Sequence, residues 1–398
     1  MISLNDKRWF MGKGRPIQRT EIFDCIPVAQ NKLSIVKVYF DDIESNFNLY
    51  AIIEDEKKFG YLLQEGFCQK EIPGTKGKFI FKSLVPFKEQ SVALLDKIAP
   101  TTTEQSNSSF VLPSHFFFKL YRRLQEGLHP EPMILESLNK AFFNGAPQIL
   151  GLCQYQTENQ IYTLGILEEH YESAVDCWSL FCKKMKLGGP SLEDVVVKSR
   201  ALGNQTAQMH LALQNLGRSP IETAEEPPLD KLQSLLEKHL KTQQEKNPWA
   251  IELHNHINIL KNKFHFPPPL LLPQTIHGDF HLGQILWIQN QFKIIDFEGE
   301  PARTLEFRRR LRSPLVDLAG MLRSLQYASA VSGQNSTAAE NAFLEGYAES
   351  IGNLTADALK PATKPYIFAK AVYEACYELE FRPQWLHIPA KALLTVCG

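Results

Sequence analysis

Two carboxylates and an amide stand at a spacing that suits chemistry. In residues 274–301, QTIHGDFHLGQILWIQNQFKIIDFEGEP, Asp279 closes His277-Gly278-Asp279, Gln284 follows five residues later, and Asp296 seventeen later, behind an apolar run. An Asp in a loop can take the proton of an attacking hydroxyl, and an amide five positions on can hold a metal ion. A second carboxylate at the end of a hairpin strand can hold that metal against a triphosphate. This is a phosphoryl-transfer layout, with Asp279 as base and Gln284 and Asp296 as metal ligands. A single His-x-Asp is commonly only a turn or a cap, so the weight lies on the set. Strand-like runs at 284–288 and 292–295 flank Gln289-Asn290-Gln291, which suits a tight hairpin and would set Gln284 beside Asp296.

The rest of the chain must position that set. Its 398 residues are 44% hydrophobic, enough for a large core and two or three domains. With 43 basic against 44 acidic side chains, nothing global favours nucleic acid or an anionic membrane. Seven scattered cysteines without a Cys-x-x-Cys pair suggest neither a zinc site nor a disulfide frame. The charged N-terminus lacks an apolar signal core, and no run of about twenty apolar residues could span a bilayer. A soluble cytoplasmic protein is expected.

Residues 1–97 alternate β-like runs (33–40, 49–54, 60–64, 78–81) with turn signals, which predicts a β-rich cap domain. The glycine and basic stretch 8–15 lacks the strand-to-helix context of a phosphate loop and is expected to be a structural turn. A second β-rich domain is expected over 98–170. In it a polar turn at 101–109, ending in Ser106, Asn107, Ser108 and Ser109, could donate hydrogen bonds to phosphate oxygens. Lys119, inside the apolar run 116–121, stands like a strand lysine that pairs with nucleotide phosphates; its carboxylate partner is Glu131 or Glu136 on a helix over 131–142. A hairpin at 148–153 and 161–167 leads to Glu168-Glu169-His170-Tyr171, which makes Glu168 and His170 candidates beside an adenine edge.

From 171 to 398 the pattern is mainly helical. His210, on an amphipathic helix over 195–213, has no partner at metal-ligand spacing and is assigned to the core. The arginine run at 308–312 is expected to be a solvated or ion-paired face. Ser313-Pro314 opens a helix whose Asp317 could tie down the catalytic loop through its backbone amides. The last long helix carries Tyr373, Glu374, Tyr377 and Glu378 on neighbouring stripes, followed by Arg382 and Trp385. Rings can stack on the C–H faces of a sugar while carboxylates and Arg take hydroxyl pairs; a polar core helix is the competing reading.

These motifs together resemble the bacterial maltokinase family, an aminoglycoside-phosphotransferase-like branch of kinases sometimes fused to trehalose synthase. The resemblance rests on residues 8–15, 104–109, 119–124, 277–284, 296–303 and 373–389, in that order. It implies an α+β, bilobal protein-kinase-like fold with an N-terminal cap domain, and ATP and Mg2+ as cofactors. It further implies phosphorylation of maltose at its anomeric hydroxyl and a possible trehalose synthase partner. Residues 105–109 would replace a glycine-rich loop, and His277, Glu298, Arg303 and the Tyr373 to Trp385 region would face the substrate. Two alternatives stand beside it. An amino sugar such as glucosamine, or another hexose, could be the acceptor, since Glu374 and Glu378 would welcome an ammonium. A degenerate kinase could instead bind nucleotide or sugar without turnover.

Overall fold

The computed structural model describes residues 4–395 except 5–6, 8, 11, 13–14, 29–30, 42–46, 87–91, 102–106, 113–114, 220–226, 243–246, 264–269 and 302. The chain divides into two compact units, Met1–Ala174 with Glu300–Arg309, and Val175–Gly299 with Arg310–Gly398.

The first unit carries, in chain order, β1 (Ile17–Val28), β2 (Asn31–Phe40), β3 (Phe47–Ile53), α1 (Phe59–Gln69), β4 (Glu71–Pro73), β5 (Lys78–Ser83), β6 (Ala99–Pro100), β7 (Ser108–Leu112), β8 (Phe116–Leu120), β9 (Arg123–Leu124), α2 (Pro130–Lys140), β10 (Ile149–Gln156) and β11 (Ile161–Glu169). Four strands form an antiparallel sheet in the order β1-β2-β3-β9, and seven form another in the order β4-β5-β10-β11-β8-β7-β6. Successive side chains of a strand point to opposite faces. Leu33, Ile35, Leu49, Ala51 and Ile53 therefore join the main core of this unit, while Val36, Val38, Phe40, Tyr50 and Ile52 pack on Trp9 and Phe10. Both faces of β2 and β3 are covered, which is why residues 49–53 of β3 are continuously apolar, while β2 keeps Lys32, Ser34 and Lys37 among its apolar positions.

The β-like run at 60–64 proves to be helical, part of α1. Phe59, Leu62, Leu63 and Phe67 are its large buried side chains, the 3.6-residue period of one helix face. Five residues are too few for that period to emerge.

The second unit holds β12 (Val175–Asp176), α3 (Cys177–Leu187), α4 (Pro190–Leu213), α5 (Leu229–Thr242), α6 (Pro248–Lys263), β13 (Ile285–Ile288), β14 (Gln291–Ile294), α7 (Leu315–Ser332), α8 (Thr337–Ile351), α9 (Ala356–Phe381) and α10 (His387–Leu394). Leu236 of α5, Ile257 of α6, Val372 of α9 and Leu393 of α10 meet in one apolar cluster. β13 and β14 pair antiparallel, with Ile288 opposite Gln291. The two residues between, Gln289 and Asn290, have φ of 48° and 61°. Two left-handed residues are what a two-residue hairpin turn matched to strand twist requires. Among the described residues no helix is long and apolar enough to cross a membrane.

Candidate active site

In the first unit, β8 and α2 bring Lys119 and Glu131 together: Lys119 Nζ lies 2.8 Å from Glu131 Oε2, and the Tyr121 hydroxyl donates to the same oxygen at 2.5 Å. Both charges are almost fully buried, so each would be costly alone; the ion pair and added hydrogen bond offset that cost. His129 caps α2, accepting from the Glu131 N–H at 3.3 Å, and so places the glutamate in the first turn. The His129 ring stacks on Tyr121 at 4.0 Å. Burial, together with the charges of Arg308 and Lys119, pulls this imidazole well below its ordinary value.

Glu136 is thereby corrected as the partner of Lys119. Five residues beyond Glu131 it points about 140° away around the helix, and it pairs with Lys140 at 3.5 Å on the surface. The expected phosphate turn also changes character. Ser108 and Ser109 belong to β7, with Ser109 opposite Lys119 in register. The Ser108 hydroxyl accepts from Arg122 Nε at 2.8 Å. Asn107 is buried, and Ser106 lies outside the described residues. Glu168 is a buried residue of β11 opposite Phe117. His170 lies just beyond that strand, its Nδ1 buried without a hydrogen-bond partner among the described residues. Arg303 bonds to Glu300 at 3.2 Å and lies 4.8 Å over the Phe307 ring, all within this unit.

The second unit holds the loop around Asp279. Asp317, fully buried at the start of α7, accepts the backbone N–H groups of His277 at 2.8 Å and Gly278 at 2.9 Å, as the sequence suggests. His210 Nε2 lies 3.0 Å from the same carboxylate, while its Nδ1 meets the Tyr347 hydroxyl at 3.0 Å. Burial alone would raise Asp317, but His210, His277 and the Gly278 N–H together hold it below the usual carboxylate range. Gly278 takes a φ of 84°, which a residue with a Cβ adopts only with strain.

His277 is a correction. It is buried; its Nε2 lies 2.9 Å from the Ile295 carbonyl, and its ring packs against Phe280 and Phe297. It secures the loop to the strand that ends before Asp296, a structural duty in place of the expected substrate contact. Glu298 is likewise buried.

The hairpin does bring Gln284 to Asp296: Gln284 Nε2 donates to Asp296 Oδ2 at 2.8 Å. Because the amide donates through nitrogen, its carbonyl oxygen is not used in that bond. One amide and one carboxylate oxygen suit a hard divalent cation that takes its other ligands from phosphate and water. Asp279 Oδ1 lies 3.3 Å from Lys370 Nζ of α9, and Oδ2 lies 3.9 Å from His281 Nε2. Burial lowers the His281 imidazole, with Lys370 and His277 adding to the effect and Asp279 and Asp296 opposing it. Both acids thus act on one ring.

Farther along α9, Glu374 Oε2 accepts from the Arg323 guanidinium at 2.9 and 2.6 Å. Glu378 is buried, accepting from the Tyr327 hydroxyl at 3.1 Å and from Arg382 at 2.9 and 2.8 Å. Both oxygens of Glu378 are engaged, and the carboxylate positions Arg382. That guanidinium lies 5.1 Å from the rings of both Tyr377 and Trp385, and Tyr327 stacks on Trp385 at 6.2 Å. Tyr373 lies beside Lys370, whose ammonium is 5.5 Å from the ring centroid. Sequence reasoning missed Lys370, Arg323 and Tyr327. Lys370 stands three and four residues before Tyr373 and Glu374, a helical spacing that could have found it.

No protein-family model matches the chain. A glucosamine kinase from Streptacidiphilus jiangxiensis is 24% identical to it over 330 residues, 74% of each chain. One from Mycolicibacterium smegmatis is 25% identical over 326 residues, covering 74% of this chain and 78% of its own. Among solved structures, a glucosamine kinase in complex with glucosamine, ADP and inorganic phosphate superposes with a TM-score of 0.72 at 18% identity, over 95% of this chain and 94% of the other. A second glucosamine kinase crystal form gives 0.71 at 17% identity, over 98% and 97%. The chain therefore has an α+β, kinase-like fold, the one also found in glucosamine kinases.

Proposed function

We propose that this protein is an ATP-dependent phosphotransferase whose acceptor is an amino sugar of the glucosamine class. The observation that carries the reading is the Asp279 carboxylate. It is held by Lys370 on one oxygen, within a loop anchored by Asp317, and followed by the Gln284–Asp296 pair. Asp279 accepts the proton of the attacking hydroxyl through its other oxygen, and the charge-assisted bond to Lys370 fixes its orientation. Lys119, braced by Glu131, holds nucleotide phosphates. Gln284 and Asp296 would hold Mg2+, which when bound neutralises charge on the β- and γ-phosphates. Arg382, Trp385, Tyr377 and Glu374 present the hydrogen-bonding and stacking surface for the sugar.

The amino-sugar alternative is favoured over maltose because the two relatives named above are glucosamine kinases. Glu374 also uses only one oxygen on Arg323, which leaves Oε1 for an ammonium. The test is ADP release with glucosamine, maltose, glucose and trehalose, with phosphorus NMR to locate the new phosphate. Turnover with glucosamine at least about ten-fold above the other sugars is expected. Preference for maltose would return the acceptor to the maltokinase reading, and nucleotide binding without turnover on any sugar would overturn the kinase assignment.

A further inference from the structure

A cavity of about 960 Å³ opens in the second unit among α7, the start of α8, α9 and α10. None of Asp279, Lys370, Tyr373, Glu374, Tyr377, Glu378, Arg382 or Trp385 lines it, and its one link to them is Arg323, a wall residue bonded to Glu374. Its volume falls within the range of pockets that hold small molecules. The lining is two-natured. Ile367, Phe368 and Ile388 give it an apolar floor, while Lys364, His387 and Lys391 stand exposed around it. No Asp or Glu lines it. Among the described residues neither the Lys364 nor the Lys391 ammonium has a carboxylate partner, in contrast to Arg323 in the same wall, which is neutralised by Glu374.

A second feature has the same sign. Ser336 and Thr337, at the N-terminus of the fifteen-residue helix α8, also line the cavity. The positive end of the helix dipole favours negative charge there; the Thr337 N–H is taken by Asn335 Oδ1 at 2.7 Å, and Glu340 Oε1 accepts from the Ser336 hydroxyl at 2.6 Å. Two unpaired ammonium groups, an imidazole and a helix N-terminus around an aliphatic and aromatic floor match one kind of occupant. It is a small organic molecule with an apolar body and a phosphate or comparable anionic group.

We propose that this cavity is a binding site for an amphipathic organic phosphate, distinct from the substrate site. The apolar body would lie on Phe368, Ile367 and Ile388, and the phosphate would take Lys364 and Lys391. The probe is 1-naphthyl phosphate, titrated calorimetrically into the full-length protein with saturating ADP and glucosamine present. Binding is expected to persist under those conditions and to weaken about ten-fold or more in the Lys364→Glu/Lys391→Glu double variant, a loss equivalent to about 1.4 kcal/mol. Both positions are exposed, so the variant should fold, which its unchanged melting temperature would verify. Inorganic phosphate and 1-naphthol, each lacking one half of the probe, should bind at least about ten-fold more weakly. Unchanged affinity in the double variant, displacement by ADP or glucosamine, or equal binding of inorganic phosphate would overturn the proposal. The charge-reversal arm reads binding alone and is independent of the proposed kinase activity.

Discussion

At the scale of single residues, the proposed chemistry turns on Asp279. Asn has the same shape but accepts no proton at working pH. Asp279→Asn should lower kcat by about 10³ while leaving nucleotide affinity within about two-fold, since no nucleotide contact is assigned to this side chain. Steady-state rates and calorimetric ADP binding check this; near-normal turnover would remove Asp279 from the role of base. The residues legible in sequence were those whose relation is local. Asp279, Gln284 and Asp296 lie within one loop and hairpin, so chain spacing translates directly into proximity. Arg323 was not legible, because its partner Glu374 lies 51 residues away in sequence, and helical spacing could have flagged Lys370 but not its pairing with Asp279, 91 residues away. Glu131 remained one of two candidates because the phase of α2 depends on where the helix begins, and Pro130 and the His129 cap decide that.

At the scale of elements, the seat of the Asp279 loop on α7 is very close. A Cβ at Gly320 would lie 2.4 Å from the Phe280 carbonyl oxygen, far inside van der Waals contact. Gly320→Ala should therefore destabilise the protein by about 1–3 kcal/mol, although Ala is the better helix former by about 1 kcal/mol. Denaturant unfolding measures the balance, and a more stable variant would show that the loop can yield. Turnover should fall as well, because Phe280 follows Asp279 directly. Long elements were largely legible. β2, β3, β8, α4 and the β10–β11 hairpin lie close to the strand and helix patterns of the sequence, while α1 was misassigned on a window too short to reveal its period. The two-residue turn at Gln289 and Asn290 was legible as a hairpin, but its left-handed backbone was not, since neither position is glycine.

At the scale of the whole molecule, buried histidine links folding to pH. His129 resists its proton in the folded protein, whereas exposed in the unfolded chain it titrates near its ordinary value of 6.5. Below that pH the unfolded state binds the extra proton, so stability falls as pH drops from about 6.5 towards the folded value. His129→Asn keeps a capping side chain without a titrating group. Its unfolding free energy should decline less steeply between pH 6.5 and 5, by up to about 1.4 kcal/mol per pH unit. Parallel slopes for variant and parent would exclude His129 as a contributor.

The double covering of the four-stranded sheet has a further consequence, for strand alignment during folding. Where one face meets water, sliding a strand by one position exposes its oily side chains and is penalised at once. With β3 enclosed on both sides, such a slide of β3 merely exchanges one greasy set for another, so side-chain polarity is a poor guardian of its alignment. The task passes to fixed polar anchors. Asp24 of β1 is buried and receives the Thr75 amide at 2.6 Å, the Thr75 hydroxyl at 2.8 Å, the Lys76 amide at 3.0 Å and the Tyr155 hydroxyl at 2.8 Å. Removing that anchor by Asp24→Ala should yield mixed amide-exchange protection along β1 and β2, and a single uniform protection pattern would place the guardian elsewhere.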